Sequence, residues 1–171
     1  ASCRSDRRVG QPHVDRGEGL GLRDLEQPFL GQLQHRDEGD DQHGLAFLDA
    51  PSPNFDARAL PVTMIVLHYT GMESAAAALD RLRDPAAKVS AHYLVDEDGT
   101  IHRLVPEEKR AWHAGRSHWR GITDVNSASV GIEIVNPGHE HGYRPFPAEQ
   151  MGALIPLVAE VKARYGITRG N

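Results

Sequence analysis

The chain has 171 residues, 25% of them charged, and a formal net charge of −5. That length suits one domain with a real core, and the mild acidity gives no electrostatic case for nucleic acid or an anionic membrane surface as partner. Cys3 is the single cysteine, which excludes an internal disulfide, and no apolar run approaches the ~20 residues of a transmembrane segment.

Residues 1 to 50 hold 10 acidic and 6 basic residues, so most of the net charge arises there. Their Arg, Asp, Gly, Gln and His follow no helical or strand period, and pieces such as Ala46-Phe47-Leu48 are too short to found a core. The segment is expected to be a low-order extension, native or not, with His13, His35 and His43 solvated. From Pro51 the texture changes, and 51–171 reads as one folded domain. Pro51-Ser52-Pro53 is a stiff, extended lead-in. Val62 to Tyr69 is β-branched and aliphatic and predicts a strand, which carries His68 near its end.

Glu73 to Arg83 predicts an amphipathic helix, with Ala76, Leu79 and Leu82 three apart and Asp84-Pro85 as its stop. Ser90 to Val95 and Thr100 to Val105 flank Asp98-Gly99, a hairpin signal. Ser129 to Val135 predicts a further strand, ended by Asn136-Pro137-Gly138. Pro147 opens a long helix with Met151, Leu154, Ile155, Val158 and Val161 on one face; it ends at Gly166 and is expected to bend at Pro156. The fold class that follows is α/β (α+β), a central mixed β-sheet flanked by helices.

A His at the end of a buried strand is either hydrogen-bonded structure or a rigidly mounted ligand. Glu133 alternates with Ile132 and Ile134 and points to the opposite face from theirs. On the same rim as His68 it could act as general base for a metal-activated water. In Arg110-Ala111-Trp112-His113-Ala114-Gly115-Arg116, small residues bracket an indole beside an imidazole, a wall for a sugar or peptide; the blander reading is a loop whose Trp plugs the core. His92 sits on a strand as a packed, hydrogen-bonded His or a site residue. His139-Glu140-His141 is read as solvated, and His102 and His118 have no stated partner.

Four strings together resemble the zinc-dependent N-acetylmuramoyl-L-alanine amidases of the type-2 family, which share the fold of the peptidoglycan recognition proteins: Ile65-Val66-Leu67-His68-Tyr69-Thr70, Val89 to Val95, Arg110 to Gly115, and Ser129 to Ile134. The resemblance implies cleavage of the amide between N-acetylmuramic acid and L-alanine in peptidoglycan or muropeptides. It implies zinc (Zn2+) as cofactor, His68 as its first ligand, Glu133 as the residue that activates water, and Tyr69, His92, Trp112, His113 and Arg116 as substrate-binding residues. A second His, an Asp and a Lys that the family places directly after the position of Asn171 have no counterpart up to that residue. The expectation is therefore an amidase domain without its C-terminal ligand segment, inactive as this polypeptide and active in its intact parent. It is expected to be monomeric and to work in the bacterial envelope or periplasm. The opening Ala-Ser-Cys resembles the tail of a lipoprotein processing site, and a cytoplasmic recycling enzyme would share the same core. The rival reading is a non-catalytic peptidoglycan-binding module on the same fold.

Overall fold

The computed structural model describes Leu45 and residues 47–168. Expectations for Cys3, His13, His35 and His43 lie outside the described residues. Eleven short and long elements follow in chain order: β1 (Phe47–Asp49), β2 (Phe55–Ala57), β3 (Met64–Tyr69), α1 (Ala75–Arg83), β4 (Tyr93–Val95), β5 (Ile101–Arg103), β6 (Lys109–Ala111), α2 (Val125–Ala128), β7 (Ser129–Ile134), a 3-10 turn (His139–His141) and α3 (Ala148–Tyr165).

A five-stranded sheet runs in the order β1-β5-β4-β7-β3, and β2 pairs with β6 in a separate two-stranded ribbon. Strands β3, β7 and β4 are mutually parallel, β5 is antiparallel to β4, and β1 is parallel to β5. This is the expected mixed sheet, with one correction at its margin. Residues 47–50, assigned by sequence to the low-order extension, complete the sheet: Phe47 packs against the core and Ala50 is buried. Three residues give no readable period, but a backbone ladder to β5 is enough to order them.

Alternation along β7 sorts the core into two faces. Val130, Ile132 and Ile134 join Val95 and Ile101 under α3, which contributes Ala153, Leu154, Leu157 and Val161. On the other face Leu94, Leu104, Val105 and Ala111 meet Ala78 and Leu82 of α1. α1 starts two residues later than predicted because Ser74 is its N-cap, its hydroxyl accepting the Ala77 N–H at 3.3 Å.

α3 passes through Pro156 as one 18-residue helix and ends on Gly166 at φ 63°. Its inner face differs from the predicted one. Ile155 is 62% exposed, while Gln150 and Leu157 are buried. A helix centred on Leu154 presents 150, 153, 157 and 161 to the sheet at spacings of three and four, and residue 155 falls outside that stripe. Gln150 stays inside because its amide donates to Val95 O and Val135 O, both at 3.0 Å.

The predicted turn at Asp98-Gly99 lies against the start of α3. Gly99 has φ +87°, and a Cβ there would stand 2.9 Å from Glu149 O. Gly99→Ala should therefore destabilise by about 1–3 kcal/mol through strain and backbone clash, read as a lower urea midpoint. An unchanged midpoint would show that α3 is not seated on this turn.

Candidate active site

The parallel register of β3 and β7 pairs His68 with Glu133. Paired residues of neighbouring parallel strands put their side chains on the same face, so two groups 65 positions apart in sequence become neighbours. The face is the one away from α3, since Ile132 and Ile134 turn toward that helix.

Glu133 lines a cleft of ≈ 150 Å³ with Thr70, Met72, Arg81, Ser90, Trp112 and His113. Its Oε2 is buried and has no hydrogen-bond partner. Burial pushes the carboxyl up to about 7, because the loss of water disfavours its ionised form. On its other side His68 borders an apolar hollow of ≈ 370 Å³ walled by Val66, Leu67, Ala114 and Trp119. Burial holds His68 below the usual histidine range.

The Trp112-His113-Ala114 segment is pinned by its backbone. The Ser90 hydroxyl accepts from Trp112 N–H at 2.8 Å and donates to Asn54 O at 2.6 Å. Asn126 Oδ1 accepts from the N–H groups of His113 and Ala114 at 3.0 and 2.8 Å. Asn126 lies in α2, a single turn capped by Asp124, whose carboxylate also pairs with Arg110 at 3.1 Å. Arg110 is held from its other end by Asp56 at 3.0 Å. The distinctive string is thus a loop clamped through its backbone.

His113 lies on the sheet over Gly131, where an added Cβ would fall 2.4 Å from its Cγ and Cδ2. Its Nδ1 is 3.0 Å from His68 Nε2 and its Nε2 is 3.1 Å from Ser129 Oγ. Burial first, then repulsion from His92 and His68, lowers its pKa to about 3. So His68, Glu133, Trp112 and His113 are brought together.

His92 lies edge-on to His113 at a ring separation of 5.9 Å but is sealed from solvent, and Tyr69 and Arg116 lie away from the cluster. His92 is 0% exposed. Its Nδ1 accepts Gly131 N–H at 2.9 Å, which makes Nε2 the protonated nitrogen; that N–H donates to Lys109 O at 3.1 Å. Arg58 Nη2, itself a donor, stands 2.9 Å from the same nitrogen. Burial and the Arg58 charge lower the pKa of His92 to about 4. With both nitrogens engaged and no exposure, its expected substrate contact is corrected to a structural role. Tyr69, one residue beyond His68, alternates to the opposite face and covers Gly138, with His139 at a ring separation of 6.3 Å. Arg116 is exposed on the loop beyond the clamp.

Sequence reasoning missed Trp119, Asn126, Ser129 and Gly131. Only the last carried a signal: a lone glycine inside an apolar strand marks close approach of another group.

The donor chemistry suits zinc in part. A neutral imidazole and a carboxylate beside it are zinc-type groups, and His68 Nδ1 has no hydrogen bond among the described residues. Catalytic zinc takes three protein ligands, and among the described residues no group of three or more His, Cys, Asp or Glu could hold a metal ion.

A family model described as N-acetylmuramoyl-L-alanine amidase matches residues 58–171. The chain is 39% identical over 122 residues to the N-acetylmuramoyl-L-alanine amidase AmiD of Escherichia coli strain K12, covering 64% of this chain and 43% of that protein. A solved complex of E. coli AmiD with the substrate anhydro-N-acetylmuramic acid-L-Ala-D-γ-Glu-L-Lys has a TM-score of 0.55 to it at 39% identity, over 66% of this chain and 48% of that one. A crystal structure of a selenomethionine AmpD derivative has a TM-score of 0.60 at 28% identity, over 71% and 75% of the two chains. The chain thus spans less than half the length of AmiD.

Proposed function

The chain belongs to the N-acetylmuramoyl-L-alanine amidase family, and from that membership we propose that the protein hydrolyses the amide between N-acetylmuramic acid and L-alanine in muropeptides or peptidoglycan. One observation carries the reading: a His whose Nδ1 has no hydrogen bond among the described residues and a half-buried Glu whose sealed Oε2 has no partner there stand side by side in register on parallel strands.

His68 would hold zinc. When bound, the metal supplies Lewis acidity at the scissile carbonyl and a lowered pKa for water. Glu133 takes a proton from the attacking water and returns it to the leaving nitrogen, so that water adds across the amide to give a carboxylic acid and an amine. Burial raises the carboxyl above its usual range, which strengthens it as a proton acceptor. Trp112 lines the cleft beside Glu133 and Trp119 the hollow beside His68, and the two indoles offer apolar walls to a glycopeptide. A pure binding module would gain nothing from an uncompensated buried carboxyl, which weakens the fold.

AmiD and AmpD are bacterial proteins of Escherichia coli, so the proposed substrate is a component or product of a bacterial cell wall. No helix among the described residues is long and apolar enough to cross a membrane.

The test is mass spectrometry of anhydro-muropeptides incubated with the whole protein carrying this domain, with and without a chelator. Free stem peptide should accumulate and should stop accumulating when zinc is removed. Intact muropeptides in both arms would refute the amidase reading.

A further inference from the structure

The hydrogen bonds around His113 form a directional chain, and its direction can be read from one end. Val125 O, a carbonyl, can only accept, so the Ser129 hydroxyl 2.6 Å away must donate its proton there. That leaves Ser129 Oγ as an acceptor toward His113 Nε2 at 3.1 Å, and Nε2 must carry a hydrogen. A neutral imidazole protonated at Nε2 offers a lone pair at Nδ1. His68 Nε2, 3.0 Å from that Nδ1, must then be the donor. The proton of His68 sits on Nε2, and its Nδ1 is left bare.

The geometry points to Ser129 and His113 as positioning residues that fix the tautomer of His68 and leave its Nδ1 lone pair available to a metal. The inference rests on the proposed amidase reading for what His68 does, but not for which nitrogen is bare. A ligand imidazole needs its other nitrogen hydrogen-bonded to hold ring and tautomer, usually by a carboxylate or a carbonyl. Here a second imidazole does that, and a hydroxyl anchored on a backbone carbonyl sets the second imidazole.

The supports of the chain are built in. Ser129 is fully buried on β7 and Val125 opens α2, four residues earlier. Gly131 makes the space in which the His113 ring lies. Asn126 fixes the His113 backbone N–H at 3.0 Å. The His113 ring is thus held at both nitrogens and over Gly131, and its loop is tied at the backbone to α2, which restricts its rotation.

The experiment reads imidazole nitrogens directly, by long-range ¹H–¹⁵N correlation on the metal-free whole protein in mildly alkaline buffer. The wild type should show His68 with a pyridine-like Nδ1 and a pyrrole-like Nε2. Ser129→Ala removes the acceptor for His113 Nε2–H, and His113→Phe removes the acceptor for His68 Nε2–H while keeping an aromatic ring. Each should move the His68 nitrogens toward the averaged shifts of a tautomer mixture. A bare Nε2 on His68 in the wild type, or an unshifted His68 in both variants, would overturn the proposal. Either result leaves muropeptide hydrolysis untouched, whereas failure of the muropeptide assay leaves the tautomer assignment standing.

Discussion

Glu133→Gln is expected to cost about 10²–10⁴-fold in kcat on muropeptide substrates, with KM little changed, because the amide keeps the shape of the carboxyl but cannot exchange a proton. The same substitution should make the metal-free protein more stable above neutral pH. In the unfolded chain Glu133 ionises near 4.5, and in the fold near 7. Below 4.5 both states are protonated and the residue is neutral to stability. As pH rises, the unfolded chain releases its proton first and is favoured, and above 7 the fold carries the full penalty. That penalty is about 3 kcal/mol. Glutamine escapes it. Urea unfolding across pH checks this: the stability gap between variant and parent should open above 4.5 and level off above 7. A flat gap, or a variant that still hydrolyses muropeptides at the parent rate, contradicts the assigned role.

His92 predicts the opposite slope. Its pKa falls from 6.5 to about 4 in the fold, so the neutral ring is the folded form. The stability this confers is complete above 6.5 and is lost as pH falls toward 4, a total of about 3 kcal/mol. His113 continues the loss toward its own value of about 3. His92→Ala should remove the part of the acid slope above 4. It should also lower stability at neutral pH by about 3–5 kcal/mol, through a cavity and two backbone groups, Gly131 N–H and Lys109 O, left unpaired. Between 4.5 and 6.5 the His92 and Glu133 slopes oppose each other, so only the single variants separate them. An H92A protein as stable as its parent would mean the ring does not have the structural role given to it above.

How far the sequence could be read depended on element length, except where a turn signal such as Asp98-Gly99 marked the short strands β4 and β5. β3, α1, β7 and α3 each extend over six or more residues, enough for alternation or a helical stripe to show. β1, β2, β6 and α2 are of three or four residues, and no period fits in so few. β6 is also charged, Lys109-Arg110-Ala111, because it lies in a two-stranded ribbon rather than in the main sheet. The direction in which Glu133 points was legible from Ile132 and Ile134. That it meets His68 was not, since parallel pairing between strands 60 residues apart leaves no local mark. His92 shows the same limit: a His alternating on a strand looks alike whether it faces substrate or is sealed beneath it, and here Gly131, Lys109 and Arg58, all distant in sequence, decide.

The pairing of His68 with Glu133 along two parallel strands has a consequence for how this site tolerates change. Their separation is one repeat of the sheet, about 4.8 Å between strands, held by ladder hydrogen bonds. Insertions or deletions in the connections between β3 and β7 leave that spacing alone. A single residue inserted inside β3 ahead of His68 turns the imidazole to the α3 side, away from Glu133. The spacing of the pair itself does not depend on loop length, although the placing of the clamped Trp112-His113-Ala114 segment does, and the six residues of β3 cannot change in number.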